Sequence, residues 1–104
     1  MSAAIEHCET MADVRRNIDR LDARIVALVA ERSGYVAQAA RIKGSADQVY
    51  DQARIDFILD RVQGMAREQG VPEAVVEATY RAMIDAFIAF EGREFARLRE
   101  GERA

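Results

Sequence analysis

Ten positions early in the chain, Met11, Val14, Ile18, Leu21, Ile25, Leu28, Arg32, Tyr35, Ala39 and Ile42, follow one another at strict 3,4 spacing. All are apolar or aromatic except Arg32. A heptad seam of that length predicts one long helix. It opens near Thr10, whose hydroxyl can cap the first turn with Asp13 beside it, and runs to about Lys43. At a rise of about 1.5 Å per residue such a helix is roughly 50 Å long, whereas a compact chain of this size has a radius of gyration of about 13 Å. The helix outgrows a monomer, and its seam needs an apolar partner along its whole length. The simplest supply is the same helix from a second copy, packed antiparallel, so a closed homodimer is the expected assembly. The competing arrangement is a monomeric bundle of shorter helices kinked at Ser33-Gly34, because glycine weakens helices.

Breakers are few: six glycines and one proline. They fall at Gly44-Ser45 and at Gly70-Val71-Pro72, which predicts a second helix from about Asp51 to Gln69 and a third from about Pro72 to Glu100. The expected fold is all-α, with three helices per protomer in an intertwined homodimer. It forms one domain over residues 1–104, with residues 1–9 as a flexible N-terminal segment. Half the residues are apolar and 32% are charged, a globular balance with no apolar run long enough to span a membrane. The first nine residues carry no basic stretch followed by an apolar one, which makes the cytoplasm the expected setting. The single cysteine, Cys8, cannot close an intrachain disulfide, and Cys8 with the lone His7 is no metal-ligand set, so neither metal nor cofactor is expected. A formal net charge of −3 argues against nucleic acid as a partner.

Arg32 is the first residue that packing does not explain, since a guanidinium buried without a partner is strongly destabilising. One reading is a buried ion pair or a register-setting polar residue. The other is an anion site, and Lys43 favours it. Eleven residues on, Lys43 returns to within about 20° of the same helix face and lies roughly 16 Å along the axis, so the two long side chains can close on one ligand. Arg15, seventeen residues before Arg32, lies about 25 Å away and can join that site only from the partner in an antiparallel dimer. In the second helix Arg54 sits beside the apolar stripe Ile55, Ile58, Val62 and Met65 and is placed to look inward, unless it pairs with Asp51 on a wet face. In the third, Tyr80, Ile84, Phe87, Ile88, Phe95 and Leu98 form an apolar arc with Glu91 in its middle. Either Glu91 neutralises Arg32 or Arg54, or desolvation keeps it protonated as a hydrogen-bond donor to substrate. Tyr35, Phe57, Met65, Met83 and Phe90 read as core, and Arg16, Arg20, Arg24, Arg93, Arg97 and Arg99 as solvated faces paired with nearby acids.

The segment Cys8-Glu9-Thr10-Met11-Ala12-Asp13-Val14-Arg15, then Ile18-Asp19-Arg20-Leu21-Asp22, Ile25-Val26, Leu28, Glu31-Arg32 and Ile42-Lys43, resembles the first helix of the all-helical chorismate mutases and is similar in look to their relative isochorismate pyruvate lyase. The resemblance continues through Asp51 and Arg54 into the third helix and covers nearly the whole chain. It implies a dimer of three-helix protomers with two sites for a small dicarboxylate, chorismate or isochorismate. By matching positions, Arg32, Arg54 and the partner's Arg15 would hold carboxylates, and Lys43 would hydrogen-bond the ether oxygen whose bond to carbon breaks. The reaction is pericyclic and formally needs no nucleophile or metal. The protein holds a chair-like conformer and stabilises charge growing on that oxygen.

Departures from the family pattern bear on the substrate. Glu91 stands where many bacterial members have a glutamine that donates to the ether oxygen, so activity is expected to need Glu91 protonated and to fall as pH rises. Ile55 replaces a glutamate that contacts the substrate hydroxyl, and Phe87 replaces a small hydroxyl residue; both lean towards the lyase. Asp51 matches the mutases. The first reading is a chorismate mutase forming prephenate, and the second is an isochorismate pyruvate lyase giving salicylate and pyruvate. The third, from another class, is a catalytically silent dimeric helical module, which leaves the convergence of Arg15, Arg32 and Lys43 without a use.

Overall fold

In the computed structural model, which describes residues 4–103, the chain forms α1 (Met11–Ile42), a short 3-10 turn (Ala46–Gln48), α2 (Gln52–Gln69) and α3 (Glu73–Arg103), with no strand among the described residues. Each start has a local cause. Thr10 is extended and its hydroxyl accepts the Asp13 amide at 3.2 Å, while the Asp13 carboxylate accepts the amides of Thr10 at 3.3 Å and Glu9 at 3.2 Å. The Glu9 amide first, and then the Arg16 guanidinium, hold the Asp13 carboxyl below the usual carboxylate range. Residues before the cap fold back on the helix: Asn17 donates to the Glu6 carboxylate at 2.8 Å. At α2 the Asp51 carboxylate accepts the Arg54 amide at 3.0 Å. The α3 helix runs a few residues past the expected end near Glu100, and α1 is continuous through Ser33-Gly34, which excludes the kinked bundle.

The turn between α2 and α3 depends on Gly70, whose φ of 73° lies in the left-handed region and whose amide reaches the carbonyls of Ala66 and Arg67. The Val71 amide closes on the Ala66 carbonyl at 2.9 Å, and Pro72 then prevents the helix from continuing. Open space surrounds the position where a Cβ would sit on Gly70, so strain there is purely conformational. Gly70→Ala is expected to lower stability by about 1–2 kcal/mol, read as a lower urea midpoint at unchanged m-value.

Both α1 and α2 pack on α3, and not on each other. The molecule is elongated, with extents of 60 × 27 × 19 Å and a radius of gyration of 17.6 Å, well above the roughly 13 Å of a compact chain this long. Its core is small: Ala40 of α1, Leu59, Val62 and Ala66 of α2, and Ile84 and Phe95 of α3. The buried face of α2 runs through Leu59, Val62 and Ala66, so of the expected stripe Ile55, Ile58, Val62 and Met65 only Val62 is buried and Met65 faces out, while the α3 arc faces inward as its pattern requires. Along α1, however, the large seam residues Met11, Ile18, Leu21, Ile25, Leu28, Tyr35 and Ile42 remain 41% to 70% exposed. Tyr35, Phe57 and Met65, expected in the core, are exposed in the protomer as well. The reason is the same for all: a helix that touches only α3 has no second layer over its outer face. None of the helices in the described residues is long and apolar enough to cross a membrane.

Candidate active site

Where the second half of α1 and the start of α2 flank the middle of α3, a cleft of about 320 Å³ opens. Its lining gathers Arg32 and Lys43 from α1 and the residue that ends it, Asp51, Arg54 and Ile55 from the start of α2, and Phe87 and Glu91 from α3, with aliphatic walls from residues such as Val49 and Ile84. Seven of the eight residues singled out from sequence therefore share one chamber. The eighth, Arg15, lies on the exposed first half of α1, outside the cleft of its own protomer.

The cations are presented in two ways. Lys43 leaves the helix with ψ 141°, and its Nζ reaches the Glu91 carboxylate at 2.6 Å. That pair is sheltered, with side-chain exposures of 27% for Lys43 and 10% for Glu91. Only one Glu91 oxygen, Oε2, is used; the other has no hydrogen-bond partner among the described residues. Arg32 and Arg54 have no carboxylate partner among the described residues. Each is laid over an aromatic ring instead, Arg32 at 4.8 Å from the Phe87 centroid and Arg54 at 5.2 Å from that of Phe57. Cation–π stacking holds a guanidinium in place without filling its hydrogen-bonding edge, so both forks stay available to an anion.

These contacts revise three expectations. Glu91 neutralises neither Arg32 nor Arg54; its partner is Lys43. Asp51 does not pair with the Arg54 side chain, because its carboxylate is committed to the Arg54 backbone amide as the cap of α2. Arg99 does not lie on a solvated face: it is over the Phe95 ring at 4.3 Å and donates to the Lys43 carbonyl. Of the other surface arginines, Arg16 pairs with Asp13 and Arg97 with Glu94 as read, whereas Arg20 donates to the Asn17 amide oxygen instead of an acid.

Residues 14–92 match the sequence pattern of the family described as chorismate mutase type II. The chain belongs to that family. Among curated relatives of this chorismate mutase type II chain are an isochorismate pyruvate lyase of Pseudomonas aeruginosa, 33% identical over 84 residues, and a chorismate mutase of Methanocaldococcus jannaschii, 30% identical over 78. The first alignment covers 81% of this chain and 83% of the relative, the second 74% and 79%. Within the chorismate mutase type II match lie seven site residues of the cleft and Arg15. Arg99 falls outside it, and its one signal in the sequence is the i, i+4, i+8 stripe Glu91, Phe95, Arg99 on α3.

Proposed function

We propose that this chain is a chorismate mutase that rearranges chorismate to prephenate in a cleft completed by the second copy of a homodimer. The observation that carries the reading is the convergence of Arg32, Lys43 and Arg54 on one cleft in which Glu91 is the only carboxylate that pairs with any of them among the described residues. Three cations line the cleft against two carboxylates, Asp51 and Glu91, and the partner's Arg15 would raise the excess to the two charges that a dicarboxylate supplies. The uncovered α1 seam supports the dimer, since a second α1 packed antiparallel buries it and carries its own Arg15 towards the cleft.

In this reading Arg32, Arg54 and Arg15 of the partner subunit hold the two carboxylates and fold the substrate into a chair-like conformer, which removes most of the entropic barrier. As the carbon–oxygen ether bond breaks and the new carbon–carbon bond forms, negative charge grows on the ether oxygen. Lys43 Nζ donates to that oxygen, and the Glu91 carboxylate, which accepts from the ammonium rather than donating beside it, holds it in the cleft until substrate arrives. Glu91→Ala removes that hold on the ammonium and is expected to lower kcat/KM by roughly tenfold in steady-state kinetics. Wild-type kcat/KM in Glu91→Ala contradicts this role of Glu91.

A second reading, isochorismate pyruvate lyase, is favoured by the apolar Ile55 and Phe87 in the cleft and by the lyase name of one relative. One assay separates the two: purified protein is given chorismate and isochorismate separately. Prephenate from chorismate supports the mutase, salicylate and pyruvate from isochorismate support the lyase, and neither product rejects both.

A further inference from the structure

Lys43 is held at two points, and both anchors come from α3. Its ammonium pairs with Glu91, and its carbonyl accepts from the Arg99 guanidinium two turns further along the same helix face. That carbonyl needs an outside donor. Lys43 is the residue at which α1 stops, its ψ of 141° turns the carbonyl away from the helix, and the next amide, that of Gly44, goes to Gln48 Oε1 at 2.8 Å. Arg99 is itself fixed, stacked on the buried Phe95 ring at 4.3 Å and paired with Glu102 at 3.3 Å, with its side chain 27% exposed. Glu91, Phe95 and Arg99 thus form one stripe on α3, and Lys43 spans its two charged ends.

We infer that Arg99 is a positioning residue for the reaction, acting through the Lys43 carbonyl to hold the Lys43 ammonium at the reacting oxygen when substrate draws it from Glu91. The inference rests on the reading of Lys43 as the donor to that oxygen. During turnover the ammonium exchanges the Glu91 carboxylate for the substrate, so the bond to Glu91 no longer fixes Lys43 while the carbonyl anchor persists. Arg99 does not itself line the cleft and reaches it only through Lys43, so its effect falls on geometry in the transition state rather than on substrate affinity.

The test compares full-length Arg99→Ala and Arg99→Lys in steady-state kinetics, together with the carbonyl carbon signal of Lys43 detected through the Gly44 amide by NMR. Arg99→Ala is expected to lower kcat by roughly ten- to a hundredfold, as small misplacements of a reacting group do, with KM changed by less than about threefold. Arg99→Lys, which still offers an ammonium to the carbonyl, recovers most of that loss and returns the Lys43 carbonyl signal towards its wild-type position. A folded Arg99→Ala with wild-type kcat overturns the inference, as does equal impairment of the two variants, which would assign the loss to packing on Phe95. Should Arg99→Ala not fold, Arg99→Met, which keeps a long apolar side chain over Phe95 but offers the carbonyl no donor, replaces it, and wild-type kcat in Arg99→Met overturns the inference equally. Loss of the Lys43 role is recognised separately, by a Lys43→Ala variant with undiminished kcat; the carbonyl signal then still reports whether Arg99 holds Lys43.

Discussion

Lys43→Ala is expected to reduce kcat by roughly 10²–10³-fold, the usual consequence of removing one donor aimed at an oxygen on which charge develops. Lys43 Nζ lies in the cleft and already holds a carboxylate oxygen at 2.6 Å, so the ammonium is directed inward before substrate arrives. The substitution also removes the cation that Glu91 faces. Breaking a fully buried pair costs about 3–5 kcal/mol, but here water reaches the lysine side, which is 27% exposed, and the expected stability loss is nearer about 1 kcal/mol. Kinetics therefore dominates over unfolding, and circular dichroism melts of the variant separate the two. Arg32→Ala provides the contrast. Its guanidinium is held over Phe87 with its polar edge free, and loss of a charge-assisted contact to a carboxylate, about 1.5–3 kcal/mol, raises KM by roughly ten- to a hundredfold. A Lys43→Ala enzyme with kcat within a few-fold of wild type removes lysine from the chemistry.

At substrate concentrations far below the raised KM of either variant, mixing Arg15→Ala with Arg32→Ala is expected to restore activity that neither shows alone. The two residues are seventeen positions apart on an unbroken α1, about 25 Å along the axis, so no cleft can draw both from one chain. In an antiparallel dimer each cleft takes Arg32 from one copy and Arg15 from the other. A heterodimer of the two variants then holds one intact cleft and one lacking both arginines. Random exchange makes half of the dimers mixed, so about a quarter of all sites regain function, and roughly a quarter of wild-type activity is the expected plateau. Exchange is verified independently by tagging one variant and recovering the other with it. Demonstrated exchange without recovered activity refutes the shared cleft.

Much of this was readable from the residues because the informative ones violate their own patterns. Arg32 interrupts an apolar heptad and Glu91 interrupts an apolar arc, and each ends up in the cleft lining. Helix limits were equally legible, since Thr10, Asp51 and Gly70 are local signals whose geometry needs no tertiary context. Partner choice was not. Whether Glu91 meets Arg32, Arg54 or Lys43 depends on how far α1 slides along α3, and a residue pattern carries no register between helices. The aromatic supports under Arg32 and Arg54 are not legible for a related reason: Phe57 reads as a packing residue and Phe87 as a cleft residue bearing on substrate choice, yet each presents its ring to a guanidinium. Arg99 was hidden among many surface arginines, and only the emergence of the Lys43 carbonyl beside it reveals its use.

The most direct measurement is a crystal structure of the protein with a bicyclic dicarboxylate that mimics the chair-like transition state. The account predicts two copies related by a twofold axis, with the ligand's carboxylates bound by Arg32, Arg54 and Arg15 of the partner subunit and its ether oxygen within hydrogen-bond distance of Lys43 Nζ. A ligand bound away from these side chains, or a dimer that leaves both copies of Arg15 in solvent, contradicts it.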